Sequence, residues 1–155
     1  MEVYRSFPIT VIVRHPKERK TRCTVIQLKG RPDILIRNYP VRKRPPLEGY
    51  VRLCEDGPPL SEADKDCGIL LLDSSWRRVE PMVTAFSDVP PRSLLGYQTA
   101  FPRASKLGTD PDNGLASIEA LYIAYRILGR STEGLFDHYR WSEEFLKANQ
   151  LEESC

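Results

Sequence analysis

Residues 68–76, GILLLDSSW, combine an apolar run with an acid, two hydroxyls and an indole. A buried strand that empties into Asp73, Ser74, Ser75 and Trp76 suits either of two roles. In the first, Asp73 or Ser74 caps a following helix and Trp76 packs beneath it. In the second, Asp73 faces a ligand ammonium group and Trp76 forms one wall of an apolar pocket. A second concentration of chemistry runs from Arg14 to Thr24, where Arg14, Lys17, Arg19, Lys20 and Arg22 are interleaved with hydroxyls at Thr21 and Thr24. Such a loop suits phosphate or carboxylate capture, or simply a solvated charged surface. A third, LASIEA over 115–120, puts Ser117 and Glu119 in the first turn of a predicted helix, where open backbone N–H groups favour a carboxyl or an anionic ligand.

The elements that must position these groups follow from periodicity. Residues 9–13 (ITVIV), 33–37, 49–54 and 68–73 have strand length and apolar character, and the last reads as a central parallel strand covered on both faces. Residues 25–29 predict a short helix closed by Gly30, with a strand as the alternative because of the β-branched start. Ser61 with Asp64 predicts a short capped helix. Residues 77–86 predict a helix in which Pro81 lies in the first turn or breaks it. Residues 87–114, with Pro90, Pro91, Pro102 and Pro111, predict a long loop system. The most regular helix runs from Leu115 to Leu128 and ends at Gly129. A further helical region starts at Ser131 and carries Leu135, Phe136 and Tyr139, with a restart at Ser142. The chain thus divides into a basic α/β part, 1–86, and a mostly helical part, 87–155, in one compact unit. A parallel sheet takes ligands at the carboxyl ends of its strands, here from Arg14, Leu53 and Asp73 onward.

Composition narrows the classes. The chain has 155 residues, with 41% hydrophobic and 28% charged, the balance of an ordinary globular domain. No apolar run approaches the roughly 20 residues of a membrane span, and the first residues lack a signal-peptide pattern, so a cytosolic protein without membrane contact is expected. Cys23, Cys54, Cys67 and Cys155 form no C-x-x-C pair and His15 and His138 lie far apart, so no metal site is expected. There is no G-x-G-x-x-G, Walker-type loop, Ser-His-Asp pattern or H-E-x-x-H. The net charge of +2 hides a lopsided distribution: residues 1–53 hold 13 Lys or Arg against 4 Asp or Glu, and the remainder is acidic. A basic half points to a polyanion such as RNA, contacted by Arg14, Lys17, Arg19, Lys20, Arg22, Arg42, Lys43 and Arg44.

In order, these segments resemble the superfamily that joins the small-subunit rRNA aminocarboxypropyltransferases to the DTW-domain tRNA enzymes. HPKERK from His15 is similar to the H-P-x-E-x-x-K motif of the DTW branch, and Cys23-Thr24 to the Cys-Thr/Ser step of the rRNA branch. Leu53 followed by PLSEAD over 59–64 resembles L-S-P-x-D, and DSSW over 73–76 resembles D-C-S-W and D-G-T-W. LLGY over 94–97 is similar to L-L-P-Y, LASIEA to L-S-x-x-E-A, and YRWSEEFLKAN over 139–149 to the rRNA branch's F-x-W-G-x-x-F-L-x-x-N ending. The chain departs from A-N-P-x-N-Y-G at 100–108 and carries Val25 where a Gly follows the Cys-Thr step.

The resemblance implies a SPOUT-like α/β fold with a trefoil knot, S-adenosylmethionine as cofactor without a metal, and a monomer acting on RNA. The implied reaction transfers a 3-amino-3-carboxypropyl group to a uridine or pseudouridine base, in small-subunit rRNA ahead of tRNA. A methyltransferase of the same fold and a non-catalytic RNA-binding assembly module are the alternatives. Carried over by residue, Thr24 holds the methionine carboxylate, Asp73 the amino group, Leu53 and Trp76 the S-methyl, and Leu95, Tyr97 and Leu115 the adenosine. Asp73 is also the nearest candidate catalytic base, although a carboxylate paired with an ammonium is a poor one, and the base is left unassigned.

Overall fold

A computed structural model describes residues 7–17, 24–55, 57–74, 76–94, 96–101 and 115–151, with the side chains of 76–78 excluded. Five parallel strands form one sheet: β1 (Thr10–Arg14), β2 (Ile34–Asn38), β3 (Tyr50–Leu53), β4 (Gly68–Asp73) and β5 (Pro91–Arg92), in the order β2-β1-β4-β3-β5. Helix α1 (Trp76–Ala85) covers one face, where Met82 and Phe86 pack on Val11, Val13 and Leu70. Helices α2 (Ser117–Ile127) and α3 (Ser142–Ala148) belong to the other face, with Ile118, Leu121 and Phe145 buried against Ile12, Ile69 and Leu71. Strand alternation therefore decides which groups meet which helix: Arg14 and Asp73 share the α2 side with Ile12 and Leu71. Central β1 and β4 are apolar on both faces because both faces are covered.

Local chemistry explains most boundaries. β4 begins at a glycine because a Cβ there would lie 2.5 Å from the Tyr50 ring. Ser61 and Asp64 form a capping box around a 3-10 turn, Glu62–Asp64. Gly129, at φ +72, takes the left-handed conformation that ends α2. Residues Ile26–Leu28 form a 3-10 turn, shorter than the helix expected at 25–29.

Three expectations are corrected. Pro81 neither sits in the first turn of α1 nor breaks it; it is the sixth residue of a continuous helix. Pro81 has no N–H to give the carbonyl four residues before it, and Met82 and Phe86, 0% and 3% exposed, hold the helix to the sheet. The loop system at 87–114 contributes β5, whose prolines fit an edge strand: the amides of Arg52 and Cys54 donate to the carbonyls of Pro90 and Arg92, so Pro91 is not asked for an N–H. The sheet thus extends past residue 86. Residues 131–139 form successive turns rather than a helix, because Gly134 at φ +81 interrupts any helical path. None of the described helices is long and apolar enough to cross a membrane.

Candidate functional site

Arg14 and Asp73 end the two central strands side by side, in direct register. Both are buried, at 5% and 8% exposure, and Arg14 Nε lies 3.7 Å from Asp73 Oδ2. The other carboxylate oxygen accepts a 2.6 Å hydrogen bond from Ser117 Oγ, in the first turn of α2. The backbone closes the same corner, since the amide of His15 donates to the Asp73 carbonyl at 3.0 Å.

Helix α2 needs outside help at its start, because the residue before it is Ala116, whose side chain has no acceptor. Thr24 supplies one: its Oγ1 accepts from the Ile118 amide at 3.0 Å. Thr24, Asp73 and Ser117, about 90 positions apart at the extremes, are thereby gathered around one helix terminus, where the positive end of the helix dipole favours negative charge. Because a hydroxyl both donates and accepts, Thr24 keeps a proton to donate after accepting from Ile118.

Glu119 organises the neighbouring wall. Its carboxylate is fully buried and accepts from four donors: the Ala116 amide (2.8 Å), Thr99 Oγ1 (2.6 Å), the Ala100 amide (2.9 Å) and Tyr139 Oη (2.8 Å). One side chain thus ties the start of α2 to the 99–100 loop and to the turns before α3. Asn149 holds the same loop from the other end of α3. Its Oδ1 accepts from the Gln98 amide at 2.7 Å, and its Nδ2 donates to the carbonyls of Gln98 and Phe145, each at 2.9 Å. Phe101 meets the edge of Trp141 at 5.2 Å between centroids.

Of the sequence-predicted ligand residues, Thr24 and Asp73 meet at α2, and Leu53, Tyr97 and Leu115 pack on the core cluster beneath that helix. Trp76 opens α1, but its side chain lies outside the described residues, as does Leu95. Arg19, Lys20 and Arg22 also lie outside them. Lys17, Arg42 and Lys43 are exposed. Arg44 is committed elsewhere, 2.6 Å from Asp88 and over the Phe86 ring at 5.2 Å; its hydrogen bond pulls the Asp88 carboxyl below its ordinary range. Arg14, grouped in the sequence with the RNA-facing cations, points instead to Asp73 in the interior. Sequence reasoning placed Ser117 and Glu119 in the first turn of this helix and missed their long-range partners. The motif ending at Asn149 was visible, but no spacing rule shows that its amide grips residue 98.

An open parallel sheet with helices on both faces and polar groups converging at its carboxyl edge defines an α/β protein, a class whose ligands ordinarily lie beyond the strand ends. No family model matches the sequence, and no curated protein matches it. Among solved structures the chain is similar to the SAM-dependent rRNA:acp-transferase Tsr3 from Vulcanisaeta distributa, with a TM-score of 0.70 and 24% identity over 94% of this chain and 80% of that one. This likeness establishes a shared fold.

Proposed function

We propose that the chain is an S-adenosylmethionine-dependent RNA aminocarboxypropyltransferase of the SPOUT-like, knotted type, acting on small-subunit rRNA. The observation that carries the reading is the group of Asp73, Arg14, Thr24 and Ser117 at the carboxyl edge of a fold shared with an rRNA:acp-transferase. Arg14 and Asp73 present one positive and one negative group, the complement of an amino-acid zwitterion. The donor set therefore fits the methionine arm: Asp73 for its ammonium, Thr24 and Arg14 for its carboxylate. Leu53 and Trp76 cover the S-methyl, and Leu95, Tyr97 and Leu115 take the adenosine.

S-adenosylmethionine supplies a sulfonium with three carbons open to displacement, of which methyl is ordinarily the least hindered. The chain's task is orientation. Anchoring the amino-acid arm while covering the methyl aims the larger group at the incoming base, and a well-aligned approach removes several kcal/mol of barrier. Asp73, already engaged by Ser117 and Arg14, serves as anchor rather than base. The rRNA preference is supported by the resemblance of the 139–149 ending to the rRNA branch; in the fold Asn149 grips the loop that bears Tyr97 directly, and Tyr139 reaches it through Glu119.

The decisive assay follows the product. With S-adenosylmethionine and small-subunit rRNA, release of methylthioadenosine is expected. S-adenosylhomocysteine instead would make the chain a methyltransferase, and absence of any binding heat with the cofactor would remove the enzymatic reading.

A further inference from the structure

Between the end of β2 and α1 lies an open-sided cleft of about 570 Å³, lined by Tyr39, Glu80, Pro81, Thr84 and Ala85. It sits on the α1 side of the sheet, opposite the face that carries Ser117. Tyr39 is keyed to the site by its backbone: its amide donates to the Arg14 carbonyl at 2.8 Å, one strand from Asp73. His15 braces the ring by stacking at 5.9 Å between centroids and 26° between planes, and the Lys17 amide fixes the imidazole through Nδ1 at 3.2 Å. Exposed Lys17, Arg42 and Lys43 lie within four residues of this pair along the chain.

We propose that this cleft takes an unpaired nucleobase of the RNA beside the one being modified, stacked on Tyr39 and read by acceptors on α1. The inference rests on the RNA-modifying reading above. An aromatic ring flanked by cations is the arrangement that single-stranded nucleic acids use, the bases on the ring and the phosphates on the charges. Pro81 and Ala85 add apolar surface to the lining. Its polar edge is rich in acceptors. Glu80 brings a carboxylate, and Thr84 Oγ1 spends its proton on the Glu80 carbonyl at 3.2 Å, which leaves its lone pairs to accept. Acceptors select bases with an exocyclic amino group, so cytosine is favoured over uracil.

The test measures fluorescence anisotropy of labelled decacytidine, decauridine and a ten-pair RNA duplex, with calorimetry of S-adenosylmethionine alongside. Wild type is expected to prefer decacytidine. Tyr39→Ala should weaken it roughly 5- to 150-fold, the range of one base-aromatic stack, while leaving duplex and cofactor binding in place. Tyr39→Phe should restore it, and Glu80→Ala should erase the preference for cytidine. Ala85→Leu, an exposed change that fills the cleft without disturbing the core, should act like Tyr39→Ala. Unchanged decacytidine affinity in both Tyr39→Ala and Ala85→Leu, or equal wild-type affinity for the two oligomers, overturns the cleft. Loss of cofactor binding in wild type would instead strike the enzymatic reading, and Tyr39 dependence would then still uphold the cleft.

Discussion

Replacing Glu119 gives the sharpest quantitative test of how the site is held. Its carboxylate is fully buried and serves four donors, two of them backbone amides that cannot turn elsewhere. Leaving a buried donor unsatisfied costs about 1–3 kcal/mol, and the two hydroxyls recover part of that by rotating to new acceptors. Glu119→Ala should therefore cost about 4 kcal/mol. Glu119→Gln keeps one carbonyl oxygen but turns an N–H₂ toward the donors on the other side, for a loss of about 2 kcal/mol. In a chain of this length 1 kcal/mol moves the melting temperature by about 2–4 °C, so drops of about 8–16 °C and 4–8 °C are expected in thermal unfolding followed by circular dichroism. Because Thr99 and Ala100 belong to the same loop as Tyr97, cofactor affinity should fall in the same order. Melting temperatures of both variants within about 2 °C of wild type would show that the four bonds do not hold the loop.

Two further outcomes are expected elsewhere. Asp73→Ala strands Arg14 in the interior without its counter-charge and should cost about 3 kcal/mol, whereas the double variant Arg14→Met with Asp73→Leu should recover stability but not cofactor binding in calorimetry; recovery of binding would refute the anchoring role. Burial pushes the Tyr125 hydroxyl above the ordinary tyrosine range, against the opposing pull of its 2.7 Å bond with Thr10. The stability tied to the neutral phenol is then complete below pH 10 and lost as pH rises beyond it toward the folded-state value. Tyr125→Phe should cost about 1 kcal/mol in urea unfolding at pH 7, and less at pH 10.5; equal losses at both would sink the argument.

The sequence made the scaffold legible where one residue type had one job. GILLLD marked β4 to the residue, and Ser61 with Asp64 announced their capping box. It misled where two tendencies competed. Leu135, Phe136 and Tyr139 keep a helical spacing, but Gly134 spends its freedom on a left-handed turn, and the apolar residues reach the core through turns instead. Pro90 and Pro91 read as loop because a strand needs N–H donors, yet in this register the partner strand takes the carbonyls of Pro90 and Arg92 and asks neither proline for an N–H. Within the site, Thr24 and Asp73 were marked by residue type and position after a strand. The long-range partners of Glu119 and Asn149 and the inward turn of Arg14 were not, because each pairing spans between 19 and 59 positions. Such pairings leave no periodic trace.

The grip of Asn149 on residue 98 also sets an order of events during synthesis. All five strands leave the ribosome before α2 and α3, so the nascent chain can pair its sheet while the wall bearing Tyr97 still lacks its fastening. Only when α3 emerges, with Asn149 behind it, does that wall acquire its lock.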